Sequence, residues 1–241
     1  MTTDALFNSL FGPGRHTIII DGAFMHGTAV VAGREAVVIG TRDHAEIDCE
    51  LALKVAGTLL AAVAEDGNGS RPPRTIVILV DTRGQALSRH DELIGLNGCF
   101  AHTAGCADLA RRCGHRLVTL VHGDAVSGGF LAFGLMADRI CALPHAQVRV
   151  MDLRAMARVT KIPYDRLVVL AEESPVFAPG AENYWRMGAV HELWSADDDW
   201  CARLEAAVNC AEAGDTRAAL GLERDGRRLA SPLAQLVAAA S

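Results

Sequence analysis

The sequence predicts an α/β fold in a single domain. Three observations carry that reading. Two apolar runs, residues 75–80 and 116–122, lack polar alternation and suit strands buried on both faces. Helix-type patterns fall between the strand-type runs, which is the order of a mostly parallel sheet with crossover helices. No Pro/Gly/Ser-rich linker divides the 241 residues, and no repeat of 20–50 residues is visible.

Taken in order, residues 16–21, 28–32 and 35–40 are short β-branched runs punctuated by Gly22, Gly27, Gly33 and Gly40. They read as a meander of antiparallel strands. Residues 48–64 place Leu51, Val55, Leu59 and Val63 at steps of four, a helical stripe with Asp48 as its N-cap. The segment 65–73 is the plainest loop. After the strand 75–80, a helix is expected over 91–113. After the strand 116–122, a glycine turn at 123–129 leads into a buried helix over 130–137. Short strands are expected at 139–143 and 147–151, and helices at 163–173 and 197–213. The domain is bounded at 16–213, with residues 1–15 an N-terminal extension and 214–241 a tail, helical or partly disordered.

Apolar residues make up 50% and charged residues 22%, enough to build a core and exclude global disorder. The net charge of −6 argues against a general nucleic-acid binder. Of the basic residues only Lys54 and Lys161 are lysines. Seven cysteines without a Cys-x-x-Cys pair read as reduced thiols in a cytoplasmic protein. The N-terminus carries Asp4 and no basic region, which makes it a poor signal peptide. The uncharged stretches 93–107 and 125–137 are shorter than the ~20 residues of a membrane span.

Chemistry concentrates in two segments. In residues 121–138 a buried strand runs into a glycine turn that opens a helix. Glycine leaves N–H groups uncovered, and the first N–H groups of a helix lack internal partners, so Gly128 and Gly129 suit an anion such as a thioester oxygen gaining charge. The plainer reading is that the glycine pair only permits tight helix–strand packing. In residues 80–92 a strand end, a loop and a helix start place a backbone N–H near Gln85 as a second donor. Alone this would be an ordinary strand-to-helix loop.

Together the two segments resemble the crotonase superfamily. The pattern is Gly123-x-Ala125-x-x-Gly128-Gly129, then Ala137-Asp138-Arg139-Ile140 and Ala142. The run Val80-Asp-Thr-Arg-Gly84 through Glu92 looks like its carboxyltransferase branch, which typically has Pro where this chain has Arg83. With Pro175-Val-Phe-Ala-Pro-Gly180 and Tyr184-Trp-Arg-Met-Gly-Ala-Val190, the chain is similar to the gamma subunits of biotin-independent malonate decarboxylase over residues 16–195.

The resemblance implies a crotonase-like ββα spiral. It implies a subunit that, with a homologous beta subunit, decarboxylates a malonyl thioester on an acyl-carrier protein to acetyl thioester and CO₂. It implies Gly128, Gly129 and Gln85 as the catalytic positions, with Gly84 and Ser127 beside the substrate. No cofactor is expected on this chain; a coenzyme-A-like prosthetic group belongs to the carrier protein. Nucleic acid, membrane and metal are not expected. One rival is a non-catalytic scaffold subunit of such a complex.

A further rival is a Clp-like serine peptidase, because Gly123-Asp-Ala-Val-Ser127 fits the nucleophile motif of that branch. The place of its histidine, counted from Pro144, holds Met151, and neither His122 nor His145 occupies it. Ser127 is therefore expected to cap the helix that follows. Cys99, His102, Cys106 and Cys113 on one helix are read as buried small residues in preference to metal ligands. His191-Glu-Leu-Trp-Ser195 is not a zinc-peptidase motif. An enoyl-hydratase site needs two acids; Glu92 suits the first, and no second is found.

Overall fold

A computed structural model describes residues 2–67, 69, 71–173, 178–211 and 214–240. Helix α1 (Thr3–Phe11) precedes strands β1 (His16–Asp21), β2 (Phe24–Val31) and β3 (Arg34–Thr41), which form the expected antiparallel meander. The β2–β3 turn is Ala32-Gly33 with both φ angles positive, +49° and +73°, a turn whose twist matches the flanking strands. β4 (Ala45–Ile47) leads into α2 (Cys49–Asp66), whose N-cap is Asp48, its carboxylate accepting from Leu51 N–H at 2.8 Å.

The remaining elements build the parallel part of the sheet. β5 (Ile76–Gln85) is followed by α3 (Arg89–Ile94) and α4 (Leu96–Arg112), then β6 (Leu117–Val126) and α5 (Ser127–Leu131). A 3-10 turn, Gly134–Met136, precedes β7 (Arg139–Ala142), β8 (Gln147–Arg149), α6 (Leu153–Thr160), α7 (Tyr164–Glu173), α8 (Ala181–Arg186) and β9 (Glu192–Leu193). The chain closes with α9 (Trp200–Asn209), α10 (Arg217–Glu223) and α11 (Ala230–Ala239). The sheet runs β1-β2-β3-β5-β6-β7-β9, with β4 beside β5 and β8 beside β6, and it is parallel from β3 onward.

Three expectations are corrected. The helix over 91–113 is two helices, because Gly95 takes φ +96° and turns the chain between them. The buried helix over 130–137 is instead the five-residue α5, starting at Ser127, and the 3-10 turn. Strands β5 and β6 each continue beyond the apolar run, to Gln85 and Val126. The sequence also missed α6 and α8. None of their residues is buried.

Both faces of the sheet are covered. Ile76, Ile78 and Val80 pack toward Leu59, Ala107, Phe130 and Phe133 of the helical layer. Val77 and Leu79 pack on the other face, where Leu6, Phe7, Leu10 and Phe11 of α1 join Leu204 of α9. At the other end of the chain, Arg224, the C-cap of α10, donates to the carbonyls of Trp185, Val190 and His191 and lies 4.4 Å over the Trp185 ring. No helix among the described residues is long and apolar enough to cross a membrane.

A buried ion network ties α2 to β5. Asp66 accepts from Arg74 through its side chain (3.0 Å) and backbone (2.9 Å), and from Arg71 (2.7 Å). Burial alone would raise the Asp66 carboxyl, but these bonds outweigh it and hold it at about 2. Its unfolded value is ~3.9, so its stabilisation is complete above that pH and is lost as pH falls through about 2. Acid titration of the folded chain is expected to lose on the order of 2–3 kcal/mol across that window. Asp66→Asn should be less stable at neutral pH and should show a flatter profile across the acid window. An unchanged acid profile in the variant would contradict this.

Candidate active site

The adjacent parallel strands β5 and β6 end side by side, which brings residues 82–85 against residues 125–129. The Thr82 hydroxyl fixes the first loop. It donates to Ala45 O at 2.6 Å and accepts from Gly84 N–H at 3.0 Å. Gly84 takes φ +108°, and a Cβ there would lie 3.3 Å from Val126 O and 3.4 Å from Ser127 Cβ. Arg83, where the branch typically has Pro, ion-pairs with Glu46 of β4 at 2.9 Å.

The glycine pair divides into two roles. Gly129 is buried, and a Cβ on it would lie 2.9 Å from Thr82 Oγ1 and 3.0 Å from the Gly84 carbonyl carbon. The backbones of the two loops touch there, so glycine is needed for the close approach. Gly128 is half-buried, and its N–H donates to Gln85 Oε1 at 3.2 Å. A carboxamide oxygen therefore already sits on this donor. Gln85 enters through its side chain, a contact across 43 residues of sequence that no local pattern announces. Because α5 has only five residues, any attraction for an oxyanion rests on these N–H groups more than on a helix dipole.

Ser127 does not cap the helix. The cap position is Val126, without a side-chain hydrogen bond, and Ser127 is the first helical residue with φ +50°. Among the described residues its hydroxyl has no hydrogen-bond partner and no histidine addresses it. His122 Nε2 faces Thr41 O at 3.0 Å, and His145 Nε2 faces His122 O at 2.9 Å. Burial lowers the His122 pKa from its ordinary value. A non-glycine residue in this region costs ~1–2 kcal/mol, while glycine adds ~0.5–1 kcal/mol of unfolded-state entropy. Ser127→Gly is therefore expected to leave the melting temperature unchanged or raise it by a few degrees, with turnover retained. A loss of several orders of magnitude in turnover in a folded Ser127→Ala protein would instead mark a nucleophile.

Two acids that sequence reasoning overlooked hold the loops. Asp91 accepts from Cys49 N–H at 3.1 Å, joining α3 to the start of α2, and that bond, then Ser88, lowers its pKa. Its neighbour Glu92 is exposed. On the other face of the sheet, Asp81 accepts from His44 N–H at 3.0 Å and Asp124 N–H at 2.9 Å. A Cβ on Gly123 would overlap the Asp81 carboxylate, which explains the first glycine of the motif. The available signal was an acid closing an apolar strand.

Of the helix cysteines, Cys106 is buried, Cys99 half-buried and Cys113 exposed, and Cys106 Sγ lies 3.6 Å from His102 Nε2. Among the described residues no cluster of three or more His, Cys, Asp or Glu is arranged to hold a metal ion. Pro175, Val176 and Phe177 of the second motif lie outside the described residues. Its end packs under the site: Gly180 N–H donates to Val148 O at 2.8 Å, and β8 pairs with the last residues of β6.

A meander feeding a parallel sheet, with two glycine loops meeting at the strand ends, is the fold of crotonase-type carboxyltransferases. The transcarboxylase 12S core has this fold at TM-score 0.68 and 18% identity, covering 86% of this chain and 40% of that one. Residues 43–241 match the family model described as malonate decarboxylase gamma subunit, and the chain belongs to that family. A Pseudomonas malonate decarboxylase hetero-tetramer in complex with coenzyme A contains a chain with TM-score 0.82 and 23% identity over 98% of both chains. The malonyl-S-ACP:biotin-protein carboxyltransferase MADD of Malonomonas rubra is 33% identical over 195 residues, 75% of this chain. The match spans 65% of that relative's length.

Proposed function

We propose that this chain works with a homologous beta subunit, in the cytoplasm, to decarboxylate a malonyl thioester carried on an acyl-carrier protein. The bond between the carboxylate carbon and Cα breaks and CO₂ leaves. Its electron pair forms an enolate whose oxygen takes the charge, and protonation of Cα gives the acetyl thioester. The transition state needs fixed donors at that oxygen. Gly128 and Gly129 N–H and the backbone at Gln85 are assigned as those donors, with Gly84 and Ser127 lining the approach. The observation that carries this reading is the carboxamide oxygen of Gln85 on Gly128 N–H, which marks where a carbonyl-type oxygen fits.

The exposed apolar side chains Leu87, Leu93 and Ile94, beside the first loop, support completion of the site by a second chain. The Pseudomonas MdcD-MdcE hetero-dimer is a structural precedent for such pairing. The thioester arm is assigned to the carrier protein as a coenzyme-A-like prosthetic group. Co-purification with the beta subunit is expected to give a complex that releases CO₂ from malonyl-carrier protein, while the isolated chain releases none. Turnover by the isolated chain would refute the two-subunit reading. A silent complex would refute decarboxylation.

A further inference from the structure

The helix α6 presents a basic stripe without a carboxylate partner among the described residues. Arg154 and Arg158 stand four apart on one face of α6, and Lys161 follows as the left-handed C-cap of the helix; all three are exposed. Among the described residues no carboxylate pairs with any of them. Arg154 lies 5.1 Å over the Tyr164 ring, which braces α6 on α7. The only acid of the α6 segment, Asp152, is occupied as its N-cap by Ala155 N–H at 2.7 Å. The acids of the hairpin, Asp165, Glu172 and Glu173, are on α7.

The position of this stripe matters more than its charge. Arg149, the last residue of β8, is the strand partner of Val126, which immediately precedes Ser127 and the glycine pair. α6 begins four residues later, so its start lies within roughly 25 Å of Ser127. The chain as a whole carries −6, which repels an acidic macromolecule from most of its surface. A short cationic helix within that reach of the site offers an acidic partner a local attraction that the rest of the surface does not.

We infer that the Arg154–Arg158 face of α6, with Lys161 at its C-terminal end, is the dock for the acidic carrier protein that delivers the malonyl thioester to the glycine loops. This rests on the decarboxylase reading and adds the surface that recognises the macromolecular part of the substrate. Charge at such a rim governs encounter and salt dependence more than chemistry.

The test uses the assembled complex with two substrates, malonyl-carrier protein and free malonyl-coenzyme A. In R154E/R158E, KM for the carrier protein is expected to rise about tenfold or more and to lose most of its salt dependence. kcat and KM for malonyl-coenzyme A should stay at wild-type values. Because Lys161 is one of only two lysines, and Lys54 is held by Asp21 and Glu50, carbodiimide cross-linking to carrier carboxylates gives a second readout. The cross-link is expected at Lys161. A carrier KM within about twofold of wild type, or cross-links to this chain that avoid Lys161, would overturn the assignment. So would dissociation of the beta subunit from R154E/R158E, which would make the stripe a subunit interface. A wild-type complex that decarboxylates neither substrate would refute the underlying function instead.

Discussion

Gly129→Val is expected to destabilise the fold before any question of chemistry arises. The first added carbon would sit 2.9 Å from Ile47 Cγ1 and Thr82 Oγ1 and 3.0 Å from the Gly84 backbone. Ile47 is fully buried, and Thr82 is held by Ala45 O, so neither can retreat without moving β4 or β5. Overpacking of this kind costs ~1–3 kcal/mol or more, and the branched side chain adds to it. For a domain of this size the melting temperature should fall on the order of 5–10 °C. Gly129→Ala should fall less, in the same direction. A Gly129→Val protein that melts within about 1 °C of wild type would show that the loops are not in this contact.

Gly128→Val is expected to do the opposite: the fold stands and turnover collapses. Its Cβ would meet the Phe100 ring edge at 3.0 Å and Gln85 Oε1 at 3.2 Å, both ends of side chains that can swing aside. No backbone atom is among those nearest contacts. The new side chain fills the space where an oxygen now sits on Gly128 N–H. Loss of one oxyanion donor typically lowers turnover by about 10²–10³. The measurement is turnover and melting temperature on one sample of assembled complex. A well-folded Gly128→Val complex with near-normal turnover would remove Gly128 from the mechanism and leave this chain as a scaffold for its partner.

The two variants differ because the glycine pair, one motif in sequence, has two environments. The sequence offered oxyanion binding and tight packing as competing readings of the pair. In the structure Gly129 sits where a Cβ would crowd β4 and β5, while Gly128 N–H donates to the Gln85 carboxamide oxygen. The Ser127 cap failed for a related reason. A serine at a strand-to-helix junction is a normal cap by local statistics, but β6 runs on past its apolar run to Val126, and the cap position falls there.

Sequence alone determined what depends on near neighbours. The meander, the two buried parallel strands and the α2 stripe with its Asp48 cap were legible, because β-branched runs, apolar periodicity and capping act within a few residues. Seeing that both glycine segments end parallel strands located the candidate site in the fold. Tertiary structure decided what depends on register between distant segments. Gln85 reaches Gly128 across 43 positions only because β5 and β6 are adjacent and aligned at their ends. Gly123 must be glycine because Asp81, on the neighbouring strand, occupies the space of its side chain. α6 buries none of its residues, and that exposure leaves its cations available to a partner. Periodicity reports which face of an element is buried; the sheet's register determines which residues meet across it.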